Sequence, residues 1–170
     1  MLRNFTACGL LVLLTATGCD CQSKSLNAEL SAERDRLQLA AEPPGAVSVL
    51  ELRESLTGNS QDVVVVGRVG GSKPVFSAQH ASFFLVDPAA LPEHQHADGC
   101  GDNCPYCSKG ADDNAVAMVH CVDAQGEAVP VGADRLFDLA EGQTAVIQGT
   151  AHVDESGNLI VLANGIYIRR

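Results

Sequence analysis

Residues 63–66 are four valines in a row. Two heavy atoms on each Cβ stiffen χ1 and favour extended backbone. The spacing predicts a strand over 62–70, and four more segments of the same kind follow. Phe83-Phe84-Leu85-Val86 marks a strand over 81–87. Residues 115–123 alternate, with Val116, Met118, His120 and Val122 on one face and Ala117, Val119 and Cys121 on the other. Residues 143–153 form a fourth strand. Asp154-Glu-Ser-Gly-Asn158 is a hairpin turn signal leading into a fifth over 159–168. In that last strand Ile160, Leu162, Ile166 and Ile168 are expected on one face. Between the third and fourth strands, 133–140 reads as a short helix with Leu136, Phe137 and Leu139 inward.

The order is strand, strand, strand, helix, strand, strand. Gly67 and Gly70-Gly71 sit in and after the first strand, where glycine permits a bend or bulge. This arrangement resembles the OB-fold, a small five-stranded Greek-key barrel. The resemblance implies a mainly β domain with one or two short helices, covering 46–170; an unrelated antiparallel sandwich or an open sheet is the competing architecture. Hydrophobic residues make up 46% of the chain, with no Trp and 4% aromatics, so the core must be mostly Val, Leu, Ile and Ala.

Ahead of the domain, Pro43-Pro44-Gly45 ends a stretch rich in Ala, Glu, Arg and Leu. A helix is expected over 25–41, with Leu26, Leu30 and Leu37 on one face. That stripe is thin, so residues 19–45 read as a tether whose helix is solvated or partner-seeking, and not as core. Val47, Leu50, Leu52 and Leu56 then fit a short amphipathic helix.

The first residues read as an export signal. Arg3 supplies the positive start, and the apolar run over 5–14 is too short to span a bilayer. Ala16-Thr17-Gly18-Cys19 follows, with Ala16 where a Leu is usual. The layout resembles a bacterial lipoprotein signal, which implies removal of 1–18, acylation of Cys19 and anchorage at a membrane in the bacterial cell envelope, facing the periplasm or the exterior. An ordinary signal peptide cut near the same point and an uncleaved anchor are the alternatives. Asp20 resembles the inner-membrane retention signal of enteric bacteria. Without 1–18 the chain carries 10 basic residues against 21 acidic ones, a formal charge of −11. Such a field repels nucleic acid.

Between the second and third strands lies an insertion, 88–114. It holds four Asp, several glycines and few large apolar residues, so it cannot bury itself. Within it stand His94, His96, Cys100, Cys104 and Cys107, five candidate ligands in fourteen residues. A Cys₃His set suits tetrahedral zinc, and thiolate with imidazole also attracts copper. Cys104-Pro105-Tyr106-Cys107 resembles the glutaredoxin active-site motif, which implies thiol–disulfide exchange at Cys104 and Cys107. Gly110 and the Asp/Asn run after it oppose the helix that motif normally opens. Structural disulfides are the third reading, since exported proteins keep them. Beyond Cys19 the mature chain has five cysteines, so they cannot all pair within one chain.

Cys121 is expected to be a small buried hydrophobe, with a fourth metal ligand as the alternative if the insertion folds back over its strand, and His120 a core or rim histidine. Tyr167 has no histidine within ten residues, which speaks against a haem-handling role. No catalytic motif is present: no Gly-x-Ser-x-Gly, no phosphate-cradling loop before a helix, no His-Glu-x-x-His. Asn103–Lys109, Val63–Gly67 and Asn164–Arg169 together resemble small exported planctomycete-type lipoproteins, a group that implies an address and a fold but no activity. The expectation is a lipid-anchored, non-enzymatic binding domain with an envelope protein partner. Its insertion would hold zinc, or copper, through Cys100, Cys104, Cys107 and His96 or His94.

Overall fold

The computed structural model describes residues 21–57, 60–91 and 112–169. Three helices, α1 (Cys21–Leu37), α2 (Val49–Ser55) and α3 (Ala133–Phe137), accompany six strands. The strands are β1 (Val47–Ser48), β2 (Gln61–Val69), β3 (Ser82–Val86), β4 (Val116–Cys121), β5 (Thr144–Val153) and β6 (Leu159–Ile168).

Strands β2 to β6 close into a barrel in the order β2-β3-β4-β6-β5, with β5 returning to β2. All these pairings are antiparallel except β4 with β6, which is parallel. With α3 between the third and fourth barrel strands, this is the five-stranded OB-like architecture that the element order predicts. β2 pairs with β5 from Gln61↔Ala151 to Arg68↔Thr144, but meets β3 only at Arg68↔Val86 and Val69↔Leu85. Gly67 lies where the two strands close: a Cβ there would sit 2.7 Å from Leu85 Cγ and 2.8 Å from the Val86 carbonyl oxygen.

The core is aliphatic, as the composition requires. Val65, Leu85, Val119, Ile147, Val161 and Ile166 fill it, with Phe83 as the large ring and Leu136 and Phe137 contributed by α3. In β4 the buried residues are Ala117, Val119 and Cys121, so the His120 face is the outer one.

Two expectations need correction. In β6 the inward residues are Leu159, Val161, Ala163 and Ile166, while Leu162 points outward and is 37% exposed. The alternation breaks at a bulge: Gln148 pairs with Gly165 and Gly149 with Ala163, leaving Asn164 as the extra residue. Gly149 makes this geometry sterically workable, since a Cβ there would lie 2.1 Å from the Leu162 carbonyl oxygen.

The second correction concerns the N-terminal helix. The segment expected to be a solvated tether packs onto the barrel. Leu37 is 0% exposed within the core, and Leu30 packs against it; the Leu26 side chain lies outside the described part. Gln38 bridges Ile166, and Leu39 covers Gly165 and donates its amide to the Ile166 carbonyl. Glu42 pairs with Arg169 at 2.5 Å. The physical reason is the short reach of β4, whose pairing with β6 stops at Cys121↔Ala163. The rest of β6 therefore has an unpaired edge, and residues 38–39 occupy it. β1 does the same for β2, pairing Val47↔Val65 and Ser48↔Val66 where β3 does not reach.

Helix α2 starts at Val49, two residues later than the leucine pattern suggests, because Ser48-x-x-Glu51 forms a capping box. Its buried residues are Val49 and Leu52.

Candidate functional site

His94, His96, Cys100, Cys104 and Cys107 fall in 92–111, and Cys19 in 1–20; all six lie outside the described residues. The described part of the insertion is its stem, and the stem is firmly built. The Asp87 amide donates to the Ala115 carbonyl at 2.8 Å, so the two ends of the insertion abut. Asp87 is only 3% exposed. Its carboxylate accepts the Leu50 amide at 3.0 Å and the Ala89 amide at 2.9 Å. Burial pushes this carboxyl up, but the amide bonds from Leu50 and Ala89, with Ser48 and Val49, outweigh it and hold Asp87 below the usual carboxylate range. One group thus caps the turn Pro88–Ala90, where the insertion leaves, and secures the start of α2.

The returning end is built alike. Asp112 caps the turn Asp113–Ala115 by accepting the Asn114 amide at 3.0 Å. Arg53, on α2, donates to the Asp113 carbonyl at 3.3 Å and to the Gly157 carbonyl at 2.9 Å. Helix α2 therefore touches both ends of the insertion and the β5–β6 hairpin. These positioning residues escaped the sequence reading. Asp87-Pro88 after a strand and Ser48-x-x-Glu51 were the legible signals, an Asx cap and a capping box.

Cys121 is fully buried among core side chains. Burial pushes its thiol up to about 12, so it carries its proton at neutral pH. The His120 ring is on the outside, its Nδ1 2.7 Å from Ser82 Oγ. Burial, then the neighbouring His80 and His152, lower its pKa. Cross-strand register places His120 opposite Leu162 and His152 opposite Ile160, with β6 between the two histidines. Among the described residues no three His, Cys, Asp or Glu side chains are grouped to hold a metal ion. Nor is any described helix long and apolar enough to cross a membrane.

An open groove of about 460 Å³ lies between Pro43-Pro44 and the β-bulge, with Asp62, Gln148 and Asn164 on its floor and rim.

No protein-family model matches this chain, and no curated protein matches it. Among solved structures, a protein assigned as an aspartyl-tRNA synthetase from Leishmania major Friedlin matches over 87% of this chain at 11% identity and a TM-score of 0.45. This chain spans 26% of that protein's length, and a likeness so slight carries no functional argument.

Proposed function

We propose that this chain is a lipid-anchored binding domain of the bacterial cell envelope whose 88–114 insertion binds zinc, or copper as the alternative soft transition metal. The observation that carries this reading is the ligand density: His94, His96, Cys100, Cys104 and Cys107 within fourteen residues. Three thiolates and one imidazole meet the tetrahedral preference of zinc. The insertion has too little apolar material to order itself, so metal binding would supply its folding free energy. The abutting stem at Asp87 and Ala115 supports the reading in one respect: it brings the ends of the ligand-bearing segment together. Acylation of Cys19 would hold the domain at a membrane surface, each buried CH₂ contributing about 0.8 kcal/mol. The formal charge of −11 without residues 1–18 argues for a protein partner over a nucleic acid.

The test is metal content together with free-thiol count, on mature protein purified anaerobically without chelator. About one zinc or copper per chain is expected from a single Cys₃His site. Cys100, Cys104 and Cys107 should resist alkylation until a chelator is added. Absence of metal with a reversible Cys104–Cys107 disulfide would replace this reading with thiol–disulfide exchange. A disulfide that does not cycle would reduce the insertion to a stapled interaction module.

A further inference from the structure

The chain between α1 and β1 runs from β6, where Leu39 lies on Gly165, to β2, where Val47 pairs with Val65. Midway along that path, Pro43 and Pro44 form one wall of the open groove of about 460 Å³. A volume of that size suits a small ligand or a short stretch of peptide. The other wall belongs to β2 and β5. Val63 and Val65 face the core, so Asp62 and Val64 face outward, opposite Thr150 and Gln148. Asn164 completes the lining, and it stands there as the extra residue of the β-bulge. Bulges re-aim side chains in this way.

The chemistry of these walls is lopsided. Proline has no N–H, so the backbones of Pro43 and Pro44 can only accept hydrogen bonds. Asp62 is the one charged residue of the lining. It accepts Thr150 Oγ1 on Oδ1 at 3.0 Å, which orients the carboxylate and leaves Oδ2 for a ligand. Among the described residues no Lys, Arg or His pairs with it, and Glu42, next to Pro43, is already taken by Arg169. Gln148 and Asn164 are exposed, and each carboxamide matches a peptide group, donor for acceptor. No basic side chain lines the groove. The complement of such a surface is a positive charge with hydrogen-bond donors, carried on an aliphatic stem that can lie along Val64 and the prolines.

We propose that this groove binds a lysine or arginine of an extended segment on a partner protein. The cation meets Asp62, its stem lies on Val64 and the prolines, and the Gln148 and Asn164 carboxamides hold the adjoining peptide groups. None of these contacts needs a metal at the insertion. They give the expected protein partner a place on the barrel and a chemistry.

Amide NMR titration of the full mature chain with acetyl-Ala-Lys-Ala-amide tests this, since the ammonium is the only charge on that probe. Saturable shifts are expected, clustered at Asp62, Val64, Gln148 and Asn164. Asp62→Asn keeps an oxygen for Thr150 and removes the charge, and should weaken binding by about threefold or more. Asn164→Ala should also weaken it. Glu155→Gln removes the same charge at the exposed tip of the β5–β6 hairpin and should change nothing. Equal losses from Asp62→Asn and Glu155→Gln would reduce the effect to the general field of an acidic protein and overturn the site. Absence of saturable shifts at these residues would overturn it too, as would equal affinity for acetyl-Ala-Glu-Ala-amide or for glucose. Pentylamine carries the ammonium without peptide groups and should bind more weakly; equal affinity would overturn the role given to a peptide. Metal content plays no part in the readout, so failure here leaves the metal reading standing, and failure of the metal reading leaves this site standing.

Discussion

The buried carboxylate of Asp87 accepts the backbone amide of Leu50, 37 residues earlier in the chain, at 3.0 Å. This bond joins the end of β3 to the first turn of α2, and so joins the departure of the insertion to the element that also holds its return. Replacing Asp87 by Ala would leave the Leu50 and Ala89 amides without their acceptor. The expected loss is about 1–3 kcal/mol for an unsatisfied buried donor, read from denaturant midpoints. A variant with unchanged stability would show that water serves these amides as well.

The same carboxylate predicts a pH dependence. Its folded pKa lies below the ordinary value near about 3.9. On acidification the unfolded chain takes up the proton first. The stabilisation is therefore complete above the unfolded value and is lost as pH falls through the folded one. Unfolding titrations of the wild type and Asp87→Asn should converge as pH falls below about 4. Curves that stay parallel would contradict this.

His120 acts in a different window. Its pKa is lowered by burial and then by His80 and His152. The unfolded chain binds a proton near about 6.5 while the folded chain still resists it. Stability contributed by neutral His120 is present above that value and declines as pH drops below it. Between pH 7.5 and 5.5 the wild type should lose more melting temperature than His120→Gln. Equal losses would mean that other groups carry the acid sensitivity.

Leu37 ties the N-terminal helix into the core. Leu37→Ala should cost about 2–5 kcal/mol, the range for a buried leucine replaced by alanine. Chemical denaturation checks this directly. A cost under about 1 kcal/mol would return the helix to the status of a solvated tether.

Cys121 offers a contrast to the cysteines of the insertion. With its thiol pushed up to about 12 and its side chain enclosed, it should remain unalkylated by iodoacetamide at pH 8 in the native protein and react fully in guanidinium. Peptide mass spectrometry separates it from Cys100, Cys104 and Cys107. Cys121→Ser should destabilise by about 1–3 kcal/mol through burial of a hydroxyl, and Cys121→Ala by less.

Local pattern was enough to read the barrel strands. The valine run, the alternation of 116–121 and the Asp154–Asn158 turn each carry their own geometry, and the observed strand limits differ from expectation by two residues at most. The face of β6 was not legible. Its parity is reset at Asn164 by a bulge that depends on the partner strand, and a single-strand pattern contains no trace of the partner. Leu37 was misjudged for a related reason. Its burial depends on where β4 stops, a tertiary fact invisible to a helical stripe of three leucines. For the candidate site, sequence names five candidate ligands and the described structure supplies only the stem of the insertion that carries them. Asp87 and Arg53 act through single carbonyls and amides, which leave no periodic mark on a sequence.

The two short patches laid by the N-terminal segment, Gln38 on β6 and Val47–Ser48 on β2, restrict how other proteins can recognise this one. A sheet with bare rims can recruit a stranger's backbone as one more strand, whatever its side chains. Here those rims are already occupied by the chain's own residues. Along these described seams an incoming peptide finds no vacant ladder to extend. Recognition there falls to side chains and loop tips, which makes it dependent on the partner's sequence as well as its shape.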